Sequence, residues 1–285
     1  DRVVDHDEIY SGYKDIFMNK ERYASFYKDK QISVKELQQH QVYPNQFVLM
    51  KDELGGSSSA VGMTDKKGET VNRLVFDDEH VWGIRPKNVQ QTMALELLLR
   101  EDIPLVTLIG KAGTGKTLLA LAAGLLQTED LGIYKKLIVA RPIVPVGKDI
   151  GYLPGEKEEK LKPWMQPIFD NLEFLFNAKK PGELEAILAG IGSIRGRSFP
   201  DQFIIIDEAQ NLTRHEVKTL LTRVGEGSKI VLMGDPEQID HPYLDSLNNG
   251  LAYVVERFKE QTVSGSVKLV KGERSGLAQL AADLL

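Results

Sequence analysis

Cysteine is absent from the 285 residues, which excludes disulfides, thiolate metal sites and a cysteine nucleophile together. The expected compartment is a reducing one, the cytoplasm. No apolar run approaches the roughly 18 residues that a membrane span needs, and no leader of charged, apolar and small residues opens the chain, so no membrane partner is expected. Aromatics are sparse at 7% and the five histidines are scattered; no zinc spacing and no serine, histidine and acid set competes for the chemistry. An excess of one charge is lacking too: the net charge is −5, so a polyanion would have to be met by a local basic patch. What is there is ordinary for a globular protein, 42% hydrophobic with 27% charged residues. At about 150 residues per domain the length gives a prior of roughly two domains.

The texture changes near residue 83. Residues 1–83 carry short alternating runs, Phe47 to Met50 and Val71 to Phe76, separated by Gly55, Gly56 and the serines 57 to 59. They read as hairpins of a small β-rich N-terminal domain. Its tyrosines and phenylalanines (Tyr10, Tyr13, Phe17, Tyr23, Phe26, Tyr27, Tyr43, Phe47) suit half-buried strand faces, and the same residue types build nucleic-acid stacking platforms. From residue 84 to 285, short continuous apolar runs alternate with helical patterns, as in a parallel sheet covered on both faces. Strands are expected at Leu105 to Ile109, Leu137 to Ala140, Phe203 to Ile206, Ile230 to Met233 and Val267 to Val270. Helices are expected at Asn88 to Arg100, Lys116 to Gln127, Arg214 to Val224 and Ser275 to Leu285.

The first of those strands runs into Gly110-Lys111-Ala112-Gly113-Thr114-Gly115-Lys116-Thr117, which is G-x-x-x-x-G-K-T, followed at once by an apolar helix. That is a P-loop in its proper context. Its glycines let backbone N–H groups face phosphates at a helix N-terminus; Lys116 reaches the β and γ phosphates and the Thr117 hydroxyl holds Mg²⁺. ATP and Mg²⁺ are therefore the expected cofactors. Strand Phe203 to Ile206 delivers Asp207 and Glu208 at its C-terminal end. Alone, the pair reads equally as a helix N-cap; downstream of a P-loop, Asp207 reads as a metal-shell carboxylate and Glu208 as the base that takes a proton from attacking water. That makes hydrolysis the expected reaction, ahead of phosphoryl transfer to another acceptor. Gly234-Asp235-Pro236-Glu237-Gln238 follows the next strand; it reads as an ordinary turn or as a loop in which Gln238 senses the γ-phosphate.

The three boxes together resemble the ATPase core of superfamily 1 helicases. The finer pattern resembles the PhoH family: Pro86-Lys87-Asn88 with Gln91, the loop 110 to 117, Arg141-Pro142, Val146-Gly147 through Gly155, Asp207 to Asn211, Gly234 to Asp240, and Glu273-Arg274-Ser275. The resemblance implies a RecA-like P-loop NTPase over residues 84–285, with Gln91 reading adenine and Arg274 acting as an arginine finger. It also implies an RNA-directed ATPase or helicase, a homo-oligomeric ring, a hexamer in the family, and a longer form carrying a PIN ribonuclease domain, for which no segment before this region has the length. Beginning at Asp1, the chain is expected to be a trimmed ATPase region. Superfamily 1 helicases use two recombinase-like domains and this chain has sequence for one, so a ring that supplies Arg274 between subunits is favoured over a monomer. Arg223 and Arg257 are alternative fingers, each with a plain surface-charge reading.

The long segment from Pro142 to Ser198 interleaves Lys148, Lys157, Lys160, Lys162, Arg195 and Arg197 with Tyr152, Trp164 and Phe169. With Arg141 it reads as a single-strand contact, or, given Glu156, Glu158 and Glu159, as a mixed solvated face around a core tryptophan. Single-stranded RNA is the expected partner. The alternative function is an ATP-driven switch that acts on a protein partner without moving along nucleic acid.

Overall fold

The computed structural model describes residues 9–37, 41–142, 165–175 and 200–272, together with 281 and 284. Its elements in chain order are β1 (Tyr13–Met18), α1 (Lys20–Asp29), β2 (Gln31–Ser33), β3 (Phe47–Asp52), β4 (Ser59–Thr64), β5 (Thr70–Arg73), α2 (Val89–Leu99), β6 (Leu105–Gly110), α3 (Lys116–Leu125), β7 (Lys136–Ala140), α4 (165–175), β8 (Gln202–Ile206), α5 (Arg214–Leu221), β9 (Lys229–Gly234), α6 (Gly250–Phe258) and β10 (Ser264–Leu269). They form two five-stranded sheets, β1-β3-β4-β5-β2 and β10-β6-β9-β8-β7.

Every pairing in the second sheet is parallel. Its strands are apolar along their whole length because alternate residues go to opposite covered faces. Val106, Leu108, Phe203, Ile205, Val231 and Met233 share one core with α2 and α3. Leu105, Ile109, Ile204, Ile206, Ile230 and Leu232 share the other with Val217 of α5 and Leu251, Val254 and Val255 of α6. Parallel strands send all their C-termini to one edge, so the segments after β6, β7, β8 and β9 open side by side.

The first sheet is mixed. β3–β4 and β4–β5 are the expected hairpins, while β1 lies parallel to β3. Strand expectation fails for Tyr23, Phe26 and Tyr27, which stand on α1, started by Asn19 capping Glu21 N at 2.7 Å; Tyr23 and Phe26 fill one helix face against the sheet. The run Val71 to Phe76 leaves the sheet at Arg73, because the N–H groups of Val75 and Phe76 donate instead to the carboxylate of Glu96 at 2.6 and 3.0 Å.

Helix α2 joins the two sheets. Met93, Ala94, Leu95, Leu97 and Leu98 are all buried, so apolar side chains face both sheets, and the buried polar residues of the helix, Gln91 and Glu96, are hydrogen-bonded. Phe47 and Met63 of the first sheet belong to the same core as Val106 and Leu108 of the second. Hydrogen bonds stitch the sheets further: Lys268 N donates to Ser11 O at 2.8 Å, and Asn45 Nδ2 to the carbonyls of Thr262 and Ser264 at 2.9 and 2.8 Å. β10 begins three residues before the apolar run that marks it in the sequence, with Ser264, Gly265 and Ser266. Glycine is needed at 265 because Leu97 of α2 comes so close that a Cβ there would meet its Cδ2 at 2.4 Å. Helix α6, which the strand and helix pattern left unassigned, starts on an Asn249 cap to Ala252 N at 2.9 Å. Among the described residues no helix is long and apolar enough to cross a membrane.

Candidate functional site

A cavity of about 870 Å³ opens at the carboxyl edge of the parallel sheet. The loop after β6, the ends of β7 and β8, the segment entering α2, and α4 wall it.

The P-loop is shaped by its glycines. Gly113 and Gly115 have φ of +84° and +88°, a left-handed backbone that any Cβ strains. Thr114 is buried, its hydroxyl donating to Lys111 O at 2.8 Å across the turn. Gly115 then starts α3, and Ala112, Gly113, Gly115, Lys116 and Thr117 line the cavity. Gly110 ends β6. Lys111 points outward, its Nζ 3.5 Å from Glu237 Oε2.

Lys116 is buried, with Nζ 3.3 Å from Lys111 O. Burial lowers its pKa from the usual lysine value, and the charges of Asp207, Glu208 and Asp235 oppose that shift. Asp207 is buried as well, and its pKa is raised by burial and then by the Glu208 charge. One ammonium thus faces three carboxylates in a pocket of low dielectric, where each charge depends on the others. Thr117 follows Lys116 on the same helix turn, so a hydroxyl and the Asp207 carboxylate border the space beside the ammonium. This donor set fits Mg²⁺ with a polyphosphate: two hard oxygen groups, with phosphate and water completing the shell. Among the described residues no group of three or more His, Cys, Asp or Glu could hold a metal by itself.

Glu208 has a left-handed backbone, φ +54°. Its Oε2 accepts from Gln210 Nε2 at 2.6 Å, and its Oε1 lies 3.7 Å from Arg141 Nη2. Arg141, read from sequence as part of a strand contact, lines the nucleotide-sized cavity at the end of β7. Gln91 also lines it, with both ends of its amide engaged: Oε1 accepts from Lys87 N at 2.8 Å and Nε2 donates to Thr114 O at 3.0 Å. It therefore splices the Arg85-Pro86-Lys87 segment to the P-loop.

The Gln238 side chain is exposed, and its carbonyl accepts from Gln210 Nε2 at 3.0 Å. Arg274 lies outside the described residues, as do Tyr152, Trp164, Arg195 and Arg197. Arg223 and Arg257 are exposed. Of the long segment, α4 is described. It buries Ile168, Leu172 and Leu175 in the core shared by α2 and α3 and turns Pro167, Asn171 and Phe174 to the cavity.

Several residues of this site carry no signal of their own in the sequence. Gln210 and Asn211 sit inside a quoted box without an obvious task, and Asp235 Oδ2 is buried with no hydrogen-bond partner, its charge acting on Lys116. Two consecutive amides one residue after an Asp-Glu pair, with a Gly-Asp loop one strand later, were the available sign.

The strand order, with β9 between the P-loop strand and the Asp-Glu strand, and the phosphate loop on β6 define a RecA-like P-loop NTPase. The chain belongs to the PhoH family: the family's sequence model, described as PhoH-like protein, matches residues 83–283. Protein PhoH2 of Bacillus subtilis strain 168 is 85% identical over 293 aligned positions that take in 100% of this chain and 66% of that protein. Protein PhoH2 of Mycolicibacterium smegmatis is 40% identical over 81% of this chain and 54% of its own length, and a PhoH-like protein of Bacillus subtilis is 38% identical over 62% and 55%. The chain thus spans between about half and two thirds of these relatives. A solved Pif1 helicase from Candida albicans aligns with 70% of this chain and 43% of its own at 16% identity and a TM-score of 0.36, too slight a likeness to bear on the fold.

Proposed function

We propose that the protein hydrolyses ATP with Mg²⁺ and couples the reaction to single-stranded RNA. The observation that carries the chemical half is the meeting of Lys116, Asp207 and Glu208 in one cavity beside a P-loop. When bound, Mg²⁺ supplies charge neutralisation on the β- and γ-phosphate oxygens, and Thr117 and Asp207 are the residues that would hold it. The P-loop N–H groups and the N-terminus of α3 bind the phosphate chain, and Lys116 donates to the β and γ phosphates. Glu208 accepts a proton from water as the water oxygen bonds to the γ-phosphorus. The bond from that phosphorus to the bridging oxygen breaks, and ADP leaves with the electron pair. Gln91 orders the base end of the cavity, and Gln238 belongs to a loop that answers to the γ-phosphate.

The RNA half is supported by the basic and aromatic residues between Arg141 and Arg197 and by the family resemblance. The active form in this reading is a ring, a hexamer as the family resemblance implies, in which Arg274 completes the site of a neighbour. Residues 1–83 form the small β-rich domain and residues 84–285 the ATPase. A longer form with a PIN ribonuclease domain would place a nuclease next to this motor.

Steady-state ATPase with and without single-stranded RNA, single-stranded DNA and duplex tests the proposal. Stimulation by single-stranded RNA that falls with salt is expected. Turnover and mobility indifferent to every polynucleotide at low salt would overturn the RNA half and favour a switch acting on a protein partner. Glu208→Gln should keep ATP bound without hydrolysing it; wild-type turnover by that variant would overturn the assignment of the base.

A further inference from the structure

Gln210 is fully buried in the single 3₁₀ turn Ala209–Asn211 that follows Glu208. The left-handed backbone at Glu208 reverses the chain, and the Gln210 side chain folds back onto the residue two before it. Its amide is engaged on every side: Nε2 donates to Glu208 Oε2 at 2.6 Å and to Gln238 O at 3.0 Å, and Oε1 accepts from Asp235 N at 3.3 Å. The fit leaves no room for a side chain at the end of β9, since a Cβ on Gly234 would lie 2.0 Å from Gln210 Oε1. The next residue repeats the arrangement at the far end of the same loop: Asn211 Oδ1 accepts from Asp240 N at 2.9 Å and from His241 N at 3.3 Å. Two consecutive side chains behind the Asp-Glu pair therefore hold the loop 235–241 at both ends, and one of them also holds the carboxylate of Glu208.

We infer that Gln210 is a positioning residue for hydrolysis: its buried amide sets the Glu208 carboxylate and fixes it to the 234–241 loop, so that the loop and the proton-accepting group move as one. This rests on the reading of Glu208 as the group that takes the proton from water. One carboxylate oxygen is held by a rigid amide, while the other faces the more loosely placed Arg141 guanidinium at 3.7 Å. The oxygen on Arg141's side is thus the one available to water, and Gln210 determines where it points. Gln210 touches neither phosphate nor water in this scheme; it acts through Glu208.

The test is Gln210→Met, which keeps the volume and loses all three hydrogen bonds, compared with wild type and Glu208→Gln. Affinity for a fluorescent ATP analogue is measured in EDTA, where no hydrolysis occurs, and kcat and KM are measured with Mg²⁺. The expected result is an affinity and KM within about twofold of wild type with kcat lower by roughly 10- to 100-fold, the usual effect of misplacing a reacting group by about 1 Å. A kcat within twofold of wild type overturns the inference, and so does a loss of affinity that matches the loss of kcat, which would mark Gln210 as structural. Donor and acceptor are then exchanged in Glu208→Gln with Gln210→Glu, which recreates an amide-to-carboxylate pair. Its melting temperature should recover at least half of what Gln210→Glu alone loses, a readout independent of turnover and of whether Gln210→Met folds; no recovery overturns the inference. Wild-type turnover by Glu208→Gln would overturn the assignment of the base instead, whereas an inactive Glu208→Gln beside a fully active Gln210→Met would overturn the role of Gln210 alone.

Discussion

Gly115→Ala probes how the P-loop and Gln91 support each other. Gly115 sits at φ +88°, and a methyl group there costs about 1–2 kcal/mol for the left-handed backbone alone. The new Cβ would also stand 2.8 Å from Gln91 Nε2. That amide has to withdraw, and its 3.0 Å bond to the Thr114 carbonyl is lost; a buried carbonyl left without a partner costs a further amount of about 1–3 kcal/mol. Gln91→Ala by itself removes the same bond together with the one to Lys87 N, so it too costs about 1–3 kcal/mol. In the double variant the clash is gone and the Thr114 carbonyl has already lost its partner. Gly115→Ala then costs only its backbone strain, and the pair is less destabilised than the sum of the singles by about 1–3 kcal/mol. Urea denaturation of the four proteins measures this coupling, and affinity for ATP measured alongside should show the same sign. Additivity within about 0.5 kcal/mol would refute the physical link between the segment entering α2 and the P-loop.

Leu97→Ala should cost about 2–5 kcal/mol, because Leu97 is fully buried between the two sheets; with Trp82 fluorescence read in a Trp164→Phe background, both sheets should unfold in one transition, and two separated transitions would contradict a shared core. Lys229 is buried with Nζ donating to Leu97 O and Arg100 O at 2.5 and 2.6 Å, and burial pushes its pKa down to about 7. Between that value and the unfolded lysine value of 10.5 the unfolded chain holds the extra proton, so stability from this group rises with pH across the window. Urea midpoints of wild type against Lys229→Met from pH 7 to 10 should diverge in favour of wild type, and a constant difference would count against the burial argument. Arg274→Ala and Lys116→Ala should each be nearly inactive alone and regain partial ATPase on mixing, since a ring can pair an intact P-loop with a neighbour's intact arginine; a mixture as inactive as its parts would place the finger on its own chain.

The amino-acid sequence alone determined the chemistry-bearing ends of the strands. G-x-x-x-x-G-K-T, the Asp-Glu pair and the Gly-Asp loop each follow a continuous apolar run, and a run covered on both faces has few alternatives to a parallel strand, so strand identity and the placing of Lys116, Asp207 and Glu208 follow from local pattern. Tertiary structure decided what depends on close approach between distant segments. Gly265 breaks the apolar strand pattern at the start of β10 because Leu97, far back in the chain, takes the space its side chain would fill. The strand run Val71 to Phe76 stops at Arg73 because a buried Glu96 captures the next backbone donors. Apart from Glu208, the partners of the Gln210, Asn211 and Gln91 side chains are backbone groups 4 to 30 positions away. Backbone N–H and C=O groups are identical at almost every residue, so a sequence does not mark which of them a buried amide will find; only the folded chain, by leaving one donor or acceptor within reach, makes the choice.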